Sequence, residues 1–201
     1  HFLPSLGLVS GGLFYKSISN PIFWRMDEEE GGAFDGYESF KPMNGGEASL
    51  MGVELNWQQQ LTFLPGFLNG FGIYTNYTYT WSETELAGYA DKIRLPGQAK
   101  HMANFAISYE KYGFSGRVAL NFHGDYISEV GEEGDDPLIY YDDHTQLDIS
   151  AGYRILPYMS IFAEFINLTN EPLRYYAGSS RTPLQQEYYK WWSHAGIKLD
   201  L

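Results

Sequence analysis

The sequence contains no cysteine and few positive charges, and these absences narrow the possible functions. Zero Cys in 201 residues excludes disulfides, thiolate metal sites and cysteine nucleophiles. Lys and Arg total 13 against 25 Asp and Glu, which gives a formal net charge of -12. A general nucleic-acid binder needs the opposite sign of charge to contact phosphates. We therefore predict no nucleic-acid partner.

Long hydrophobic runs are missing as well. The chain has no run of about 18 apolar residues, so no transmembrane helix is predicted. A transmembrane β-barrel remains compatible with this absence, because each of its strands needs only about 10 residues of alternating polarity.

Motifs of hydrolytic and metal-dependent enzymes are also absent. There is no GxSxG motif, and Ser193 and His194 are neighbours that would face opposite sides of a strand. The five histidines lack HExxH spacing. His123 and His144 could approach each other if their strands pair. We predict no enzyme activity, no cofactor and no resident metal ion.

The sequence does contain eight stretches in which apolar and polar residues alternate. In the clearest stretch one side carries Phe114, Gly116, Val118, Leu120, Phe122, Gly124 and Tyr126. The others lie at about 6–19, 51–60, 71–82, 104–110, 146–155, 158–168 and 191–201, and the first and sixth of these have apolar residues on both sides. Side chains in a strand switch faces at every residue, so the pattern predicts an all-β fold of antiparallel strands.

The polar sides of these predicted strands carry several charged and amide side chains. If the strands form a barrel, these residues line its lumen and contact a plug or a solute. A water-facing wall with mutual hydrogen bonds, and no role in ligand binding, is the alternative. The candidate lumen-facing residues are Arg117, Asn121, His123, Asp125, Gln146, Asp148 and Arg154.

The connections between the stretches alternate between short and long. Short ones lie near 64–69, 111–113 and 156–158, and long ones near 20–46, 83–100, 129–143 and 170–189. In a bacterial outer-membrane barrel this order places short turns in the periplasm and every long loop outside the cell. A soluble β-sandwich binding module is the less favoured alternative, because it has no reason to sort its loops by length.

Aromatic and basic residues in the long loops are candidates for ligand contacts. Aromatic faces suit sugars or planar chelates, and arginine suits an anionic complex. The alternative is ordinary loop packing or a girdle at the lipid headgroups. The candidate ligand-binding residues are Trp24, Arg25, Tyr140, Tyr141, Arg174, Tyr175, Tyr176 and Arg181.

Clustered acidic residues in the third long loop could hold Ca²⁺, which prefers several oxygen ligands. Their spacing does not match an EF-hand loop, so a solvated acidic loop is the favoured interpretation. The residues concerned are Glu132, Glu133, Asp135, Asp136, Asp142 and Asp143.

Several segments resemble the C-terminal part of TonB-dependent outer-membrane receptors. Near the end of the chain these are NLTNEP at 167–172, YY at 175–176, QQEYY at 185–189 and GIKLDL at 196–201. Earlier segments are GLFYKSI at 12–18 with NPI at 20–22, GEASLMGVE at 46–54 and RLPGQ at 94–98. Together they span nearly the whole chain, and their order and spacing point to the family without pointing to one solute. One departure is the final Leu201, where outer-membrane barrels usually end in an aromatic residue.

This resemblance implies a barrel of about 22 strands, closed by an N-terminal plug, in the outer membrane of a Gram-negative bacterium. Residues 1–201 would supply about the last eight strands, and the plug and the Ton box lie outside this sequence. The implied partners are outer-membrane lipid, TonB through the absent N-terminal region, and an imported solute: a siderophore-iron complex, cobalamin, haem or an oligosaccharide. The resemblance does not decide whether a surface lipoprotein caps the receptor.

One further alternative is a self-contained eight-stranded outer-membrane barrel of structural or adhesive role. Eight strands make the smallest usual closed barrel, and its interior is filled by side chains. We expect a piece of a larger protein instead.

Overall fold

A computed structural model describes residues 2–3, 7–86, 88–131 and 138–200, which form mainly antiparallel β-structure. The strands are β1 (Phe2–Leu3), β2 (Gly7–Ser19), β3 (Ile22–Glu28), β4 (Glu38–Asn44), β5 (Glu47–Gln60), β6 (Phe71–Thr84), β7 (His101–Lys111), β8 (Phe114–His123), β9 (Tyr126–Glu129), β10 (Ile139–Tyr141), β11 (His144–Leu156), β12 (Met159–Ile166), β13 (Leu173–Ala177), β14 (Pro183–Glu187) and β15 (Trp192–Leu199). Two 3₁₀ helices cover Gly32–Phe34 and Gly66–Gly70. Within these described ranges, no helix has the length and apolar character to cross a membrane.

Nine strands form one continuous sheet, which we call the wall sheet. Its order is β1-β2-β5-β6-β7-β8-β11-β12-β15, with antiparallel pairing throughout. Its eight long strands correspond to the eight alternating stretches, so the predicted all-β antiparallel architecture is confirmed. Among the described strands, β1 and β15 do not pair with each other, and the sheet is open. A closed eight-stranded barrel is therefore not what these residues form.

Strand register divides the wall sheet into an apolar face and a polar face. One cross-strand row of the apolar face contains Val9, Trp57, Thr75, Phe105, Leu120 and Leu147. The matching row on the polar face contains Ser10, Asn56, Asn76, Asn104, Asn121 and Gln146. Because paired residues point to the same side of the sheet, and all but Thr75 in these rows match their neighbours in polarity, both faces continue from strand to strand.

Large side chains on the apolar face are exposed, with no cover from the other described residues. Leu13 is 84% exposed and Ile197 is 66% exposed, although they lie on strands far apart in the sheet. Soluble monomeric proteins rarely expose apolar patches larger than a few hundred Å². In the predicted barrel this is the face that would lie against lipid.

Two of the three predicted short connections, 112–113 and 157–158, are two-residue turns, whereas the third runs from 61 to 70 and contains a 3₁₀ helix. Tyr112 and Gly113 form a two-residue hairpin with φ values of 57° and 78°. Two consecutive positive φ angles define a type I′ turn, whose twist matches that of the strands it joins. The Lys111 ammonium group donates hydrogen bonds to the Gly66 carbonyl and to Asn69 Oδ1, which ties two of the short connections together.

Substitutions in this hairpin should change stability in opposite directions. Gly113→Val should destabilise the turn by about 1–2 kcal/mol, because a β-branched residue is strained at positive φ. Tyr112→Asn should stabilise it, because Asn tolerates the left-handed region and Asn-Gly is the preferred type I′ pair. Urea unfolding of the full receptor in detergent measures both changes. Equal stability of the two variants would contradict the turn assignment.

The long connections contain strands of their own, which the sequence did not predict. β3 and β4 form a hairpin, and β14-β13-β10-β9 form a second antiparallel sheet, which we call the loop sheet. These strands have only three to seven residues, too few to display a clear alternation. The buried core also lies here, around Phe23, Leu86, Ile127 and Val130.

Candidate functional site

Three strands of the loop sheet place three tyrosines side by side. Tyr141 on β10 pairs with Tyr126 on β9 and with Tyr175 on β13. The Tyr126 and Tyr141 rings are stacked with centroids 5.2 Å apart, and the Tyr175 ring meets Tyr141 edge-on at 5.1 Å. All three side chains are half-buried, so part of each ring is accessible. We call this cluster the tyrosine row.

Two histidines on the polar face of the wall sheet extend this aromatic surface. His123 at the end of β8 pairs directly with His144 at the start of β11, and their rings stack with centroids 5.5 Å apart. The His123 ring also lies 5.2 Å from the Tyr141 ring and 5.7 Å from the Tyr126 ring. The predicted approach of the two histidines is therefore confirmed.

The opposite face of the loop sheet holds a hydrogen-bonded network. The rings of Tyr140 and Tyr176 stack at 5.1 Å, and the Tyr176 hydroxyl donates to Asp125 Oδ2 at 3.2 Å. Arg94 Nη2 binds the same carboxylate oxygen at 2.7 Å, and its guanidinium lies over the Tyr140 ring at 5.4 Å. Burial, and next the negative charge of Asp125, raise the pKa of the Tyr176 hydroxyl, which therefore stays a donor. This network connects the loop sheet to the loop that follows β6.

Three arginines of the long connections, Arg25, Arg94 and Arg174, are paired with acids. Arg25 Nε lies 2.6 Å from Asp27 Oδ1, and Arg174 Nη1 lies 3.0 Å from Asp142 Oδ2. Burial raises the pKa of the Asp142 carboxyl, although Arg174 acts in the opposite direction. An anionic solute would have to compete with these carboxylates for the guanidinium groups. The arrangement therefore favours recognition by ring faces over recognition by charge.

The predicted loop residues divide into two groups. β10 and β13 bring together Tyr140, Tyr141, Arg174, Tyr175 and Tyr176. Adjacent residues alternate in facing, so Tyr141 and Tyr175 belong to the tyrosine row and Tyr140 and Tyr176 to the network behind it.

Trp24 and Arg181 lie apart from this cluster. Trp24 is exposed on β3, next to the buried Phe23, and Arg181 is exposed in the turn between β13 and β14. In the described part of the chain, no ring contact, side-chain hydrogen bond or ion pair joins either of them to the tyrosine row. Arg25 is also on β3, which is joined to the residue directly after β9 by a hydrogen bond from the Met26 amide to the Val130 carbonyl at 3.0 Å.

Most of the predicted lumen-facing residues share the polar face of the wall sheet. Asn121 pairs with Gln146, and the Asp148 carboxylate accepts hydrogen bonds from both side chains, at 3.2 Å and 2.8 Å. Arg117 pairs with Ser150 on this face, and Arg154 follows on the same face nearer the short turns. These contacts are the mutual hydrogen bonds of a polar wall. Whether the face lines a lumen remains a prediction.

Asp125 departs from the predicted alternation. β8 ends at His123, and Gly124 and Asp125 interrupt it before β9 begins at Tyr126. The predicted strand from 114 to 126 is thus too long by three residues. The interruption lets Asp125 reach Arg94, and it brings the Tyr126 ring beside His123, from which alternation had separated it.

Sequence reasoning also missed Arg94 as a partner of Asp125. Arg94 lies within the RLPGQ segment, so its place in a motif was visible, but its contact spans 31 positions in the chain.

Of the acidic cluster considered as a Ca²⁺ site, four residues lie outside the described residues: Glu132, Glu133, Asp135 and Asp136. Asp142 pairs with Arg174 instead.

Comparison with known proteins gives a consistent answer. The sequence model of a family described as "TonB dependent receptor-like, beta-barrel" matches residues 2–168. No curated protein sequence matches the chain significantly.

Solved structures share the fold at low sequence identity. The copper transporter OprC is 16% identical with a TM-score of 0.64, and the match covers 95% of this chain and 28% of that one. The ferric-catecholate import receptor Fiu from E. coli is 14% identical with a TM-score of 0.60, covering 94% of this chain and 25% of that one. The siderophore receptor PiuA from Acinetobacter baumannii is 15% identical with a TM-score of 0.60, covering 94% and 26%. The chain thus spans about a quarter of the length of these proteins.

Proposed function

The chain belongs to the TonB-dependent receptor β-barrel family, whose members are outer-membrane transporters and not enzymes, and we propose that it forms the C-terminal barrel portion of such a receptor. In this role the wall sheet is part of the transmembrane barrel, with its apolar face against lipid and its polar face toward the lumen. The long connections then stand outside the cell. The loop sheet would take part in capturing a solute before its import.

The tyrosine row is the observation that carries this proposal. It presents three adjacent aromatic rings at the end of the wall sheet where all the long connections lie. Aromatic rings offer a large contact area with little loss of conformational freedom, and each has a hydroxyl that can hydrogen-bond a polar solute. Such a surface suits a large solute with planar or apolar portions.

The solute belongs to the classes that this family imports: a siderophore-iron complex, cobalamin, haem or an oligosaccharide. The similar solved structures include receptors for ferric siderophores and a copper transporter. Because Arg25, Arg94 and Arg174 are each paired with an aspartate, we expect the planar or apolar part of the solute to dominate its contacts here. TonB would act through the plug of the whole receptor, and a surface lipoprotein is a compatible partner.

Uptake by the full-length receptor tests this proposal. The receptor is produced in a Gram-negative host that lacks its own receptors, with and without TonB, and supplied in turn with a ferric catecholate, a ferric hydroxamate, haem, cobalamin and a maltooligosaccharide. We expect TonB-dependent uptake of one of these. Replacing Tyr126, Tyr141 and Tyr175 together with alanine should reduce that uptake at least tenfold, because ring contacts contribute about 0.5–1.5 kcal/mol each.

Tyr112→Ala provides the matched control. Tyr112 is an exposed tyrosine in the short hairpin at the other end of the wall sheet, so its loss should leave uptake unchanged. Uptake that is independent of TonB, no uptake of any probe, or a triple variant that transports like the parent protein would each overturn the proposal.

A further inference from the structure

The sequence alone predicted no metal site, but strand register brings three donor side chains together, and we propose that Met102, His123 and His144 form a binding site for a late first-row transition-metal ion, with copper bound most tightly. The site lies on the polar face of the wall sheet, where β7, β8 and β11 reach the long connections. It uses side chains outside the tyrosine row, and binding at it requires neither TonB nor a plug.

Strand register puts the three side chains in one row. Met102 on β7 pairs with His123 on β8, and His123 pairs with His144 on β11. Directly paired residues on one face of an antiparallel sheet have Cβ atoms about 4.5–5.5 Å apart. The two imidazole rings are nearly parallel, at 14°, with centroids 5.5 Å apart. Nearly parallel rings direct their in-plane lone pairs side by side, so for one ion to reach both imidazoles the His144 ring, whose Nδ1 contact with the Pro172 carbonyl is the longer at 3.3 Å, must turn about its Cβ–Cγ bond.

The hydrogen bonds of the two histidines leave the same nitrogen of each ring open. His123 Nδ1 lies 3.0 Å from the Gly124 carbonyl oxygen, and His144 Nδ1 lies 3.3 Å from the Pro172 carbonyl oxygen. A carbonyl oxygen only accepts, so each Nδ1 carries the hydrogen and each Nε2 of the neutral ring has a free lone pair. Within the described ranges, no hydrogen bond or ion pair uses either Nε2. Backbone carbonyls that orient histidine in this way are typical of metal-binding imidazoles.

The other described histidines differ in this respect. His101 lies on the apolar face, where its Nδ1 is 2.8 Å from the Tyr77 hydroxyl. His194 lies on the polar face, where its Nε2 is 3.2 Å from Glu164 Oε2. Neither has a second histidine paired with it across a strand. These two residues are therefore suitable controls.

The donor set indicates the kind of ion. Imidazole suits copper, zinc and nickel, and a thioether adds a preference for copper, especially Cu(I). Calcium and magnesium prefer oxygen ligands, and none of the three residues is paired directly with a carboxylate across a strand. Met102 is 45% exposed and both histidines are half-buried, so an ion in solution can reach the site. The formal net charge of -12 also favours the approach of a cation.

Copper binding to the purified full-length receptor in detergent tests the site. Titration with Cu(II), followed by calorimetry and by electron paramagnetic resonance, should show one equivalent bound through two imidazole nitrogens. His123→Gln or His144→Gln should weaken this binding at least tenfold, and the double variant should lose that equivalent. His101→Gln and His194→Gln should bind like the parent protein.

Met102→Leu separates the contribution of the thioether. It should weaken Cu(I) binding, measured by competition with bicinchoninate, and leave Zn(II) binding unchanged. Slower migration on electrophoresis after heating shows that each variant was folded. Retention of the copper equivalent in the double histidine variant, or an equal loss in His101→Gln, would overturn the proposal. Solute uptake is not a readout here, so this result is independent of the uptake experiment.

Discussion

Replacing Gly52 with valine is expected to abolish folding of the wall sheet. A Cβ atom at this position would lie 2.3 Å from the Tyr79 carbonyl oxygen on β6 and 2.4 Å from Phe14 Cζ on β2. Gly52 is central to β5, which pairs with both of these strands, so the clash cannot be relieved without separating the strands. Closely packed atoms of this kind cannot absorb an overlap of more than an ångström.

The measurement is the fraction of full-length receptor that resists unfolding by SDS before heating. For Gly52→Val we expect almost no resistant protein in the outer membrane. Gly12→Ala is the matched control, because a Cβ at Gly12 on the adjacent β2 would have Glu54 Oε2 at 3.9 Å as its nearest neighbour. If Gly52→Val folds as well as Gly12→Ala, the register described for β2, β5 and β6 is wrong.

Replacing Asp125 with leucine is expected to loosen the loop sheet without unfolding the wall sheet. The Arg94 guanidinium and the Tyr176 hydroxyl would both lose the carboxylate that they share. A buried polar group left without a partner costs about 1–3 kcal/mol. The lower half of that range applies, because the Asp125 side chain is 38% exposed and water can replace part of the interaction.

Hydrogen exchange of the backbone amides of β9 and β10 measures this effect. In Asp125→Leu we expect exchange there to become about tenfold faster, which corresponds to about 1.4 kcal/mol, while exchange in β5 and β6 stays unchanged. Asp200→Ala is the control, because the Asp200 side chain forms an exposed ion pair with Lys198 at the other end of the wall sheet. Unchanged exchange in Asp125→Leu would show that the network does not stabilise the loop sheet.

The sequence predicted the wall sheet well. Its strands are long, and the alternation of, for example, Val118 and Leu120 with Arg117 and Asn121 repeats at every second residue regardless of what lies elsewhere. The order of short and long connections predicted antiparallel neighbours, and the pairing of β5 to β8 in sequence order confirms this. The tight turn at Tyr112 and Gly113 was also predictable from local sequence. The left-handed conformation that such a hairpin requires depends on the residue types in the turn itself.

The candidate site was predicted less completely. Tyr140, Tyr141, Tyr175 and Tyr176 were recognised as aromatic residues in loops, but not as members of two faces of one sheet. Their facing depends on β9, β10, β13 and β14, which are too short to display a period and which pair across long stretches of chain. The interruption of the strand after His123 also places the Tyr126 ring beside His123, whereas alternation had predicted opposite sides for these two residues.

The sequence by itself determined the residues of the apolar face and those of the polar face, because alternation is local and facing follows from position along a strand. Only the tertiary structure decided which polar residues meet. The contacts of Arg94 with Asp125 and of His123 with His144 join segments about 20 to 30 residues apart, and strand register decides whether they form. Register across strands depends on the folded sheet as a whole, so the tyrosine row and the histidine pair became visible only there.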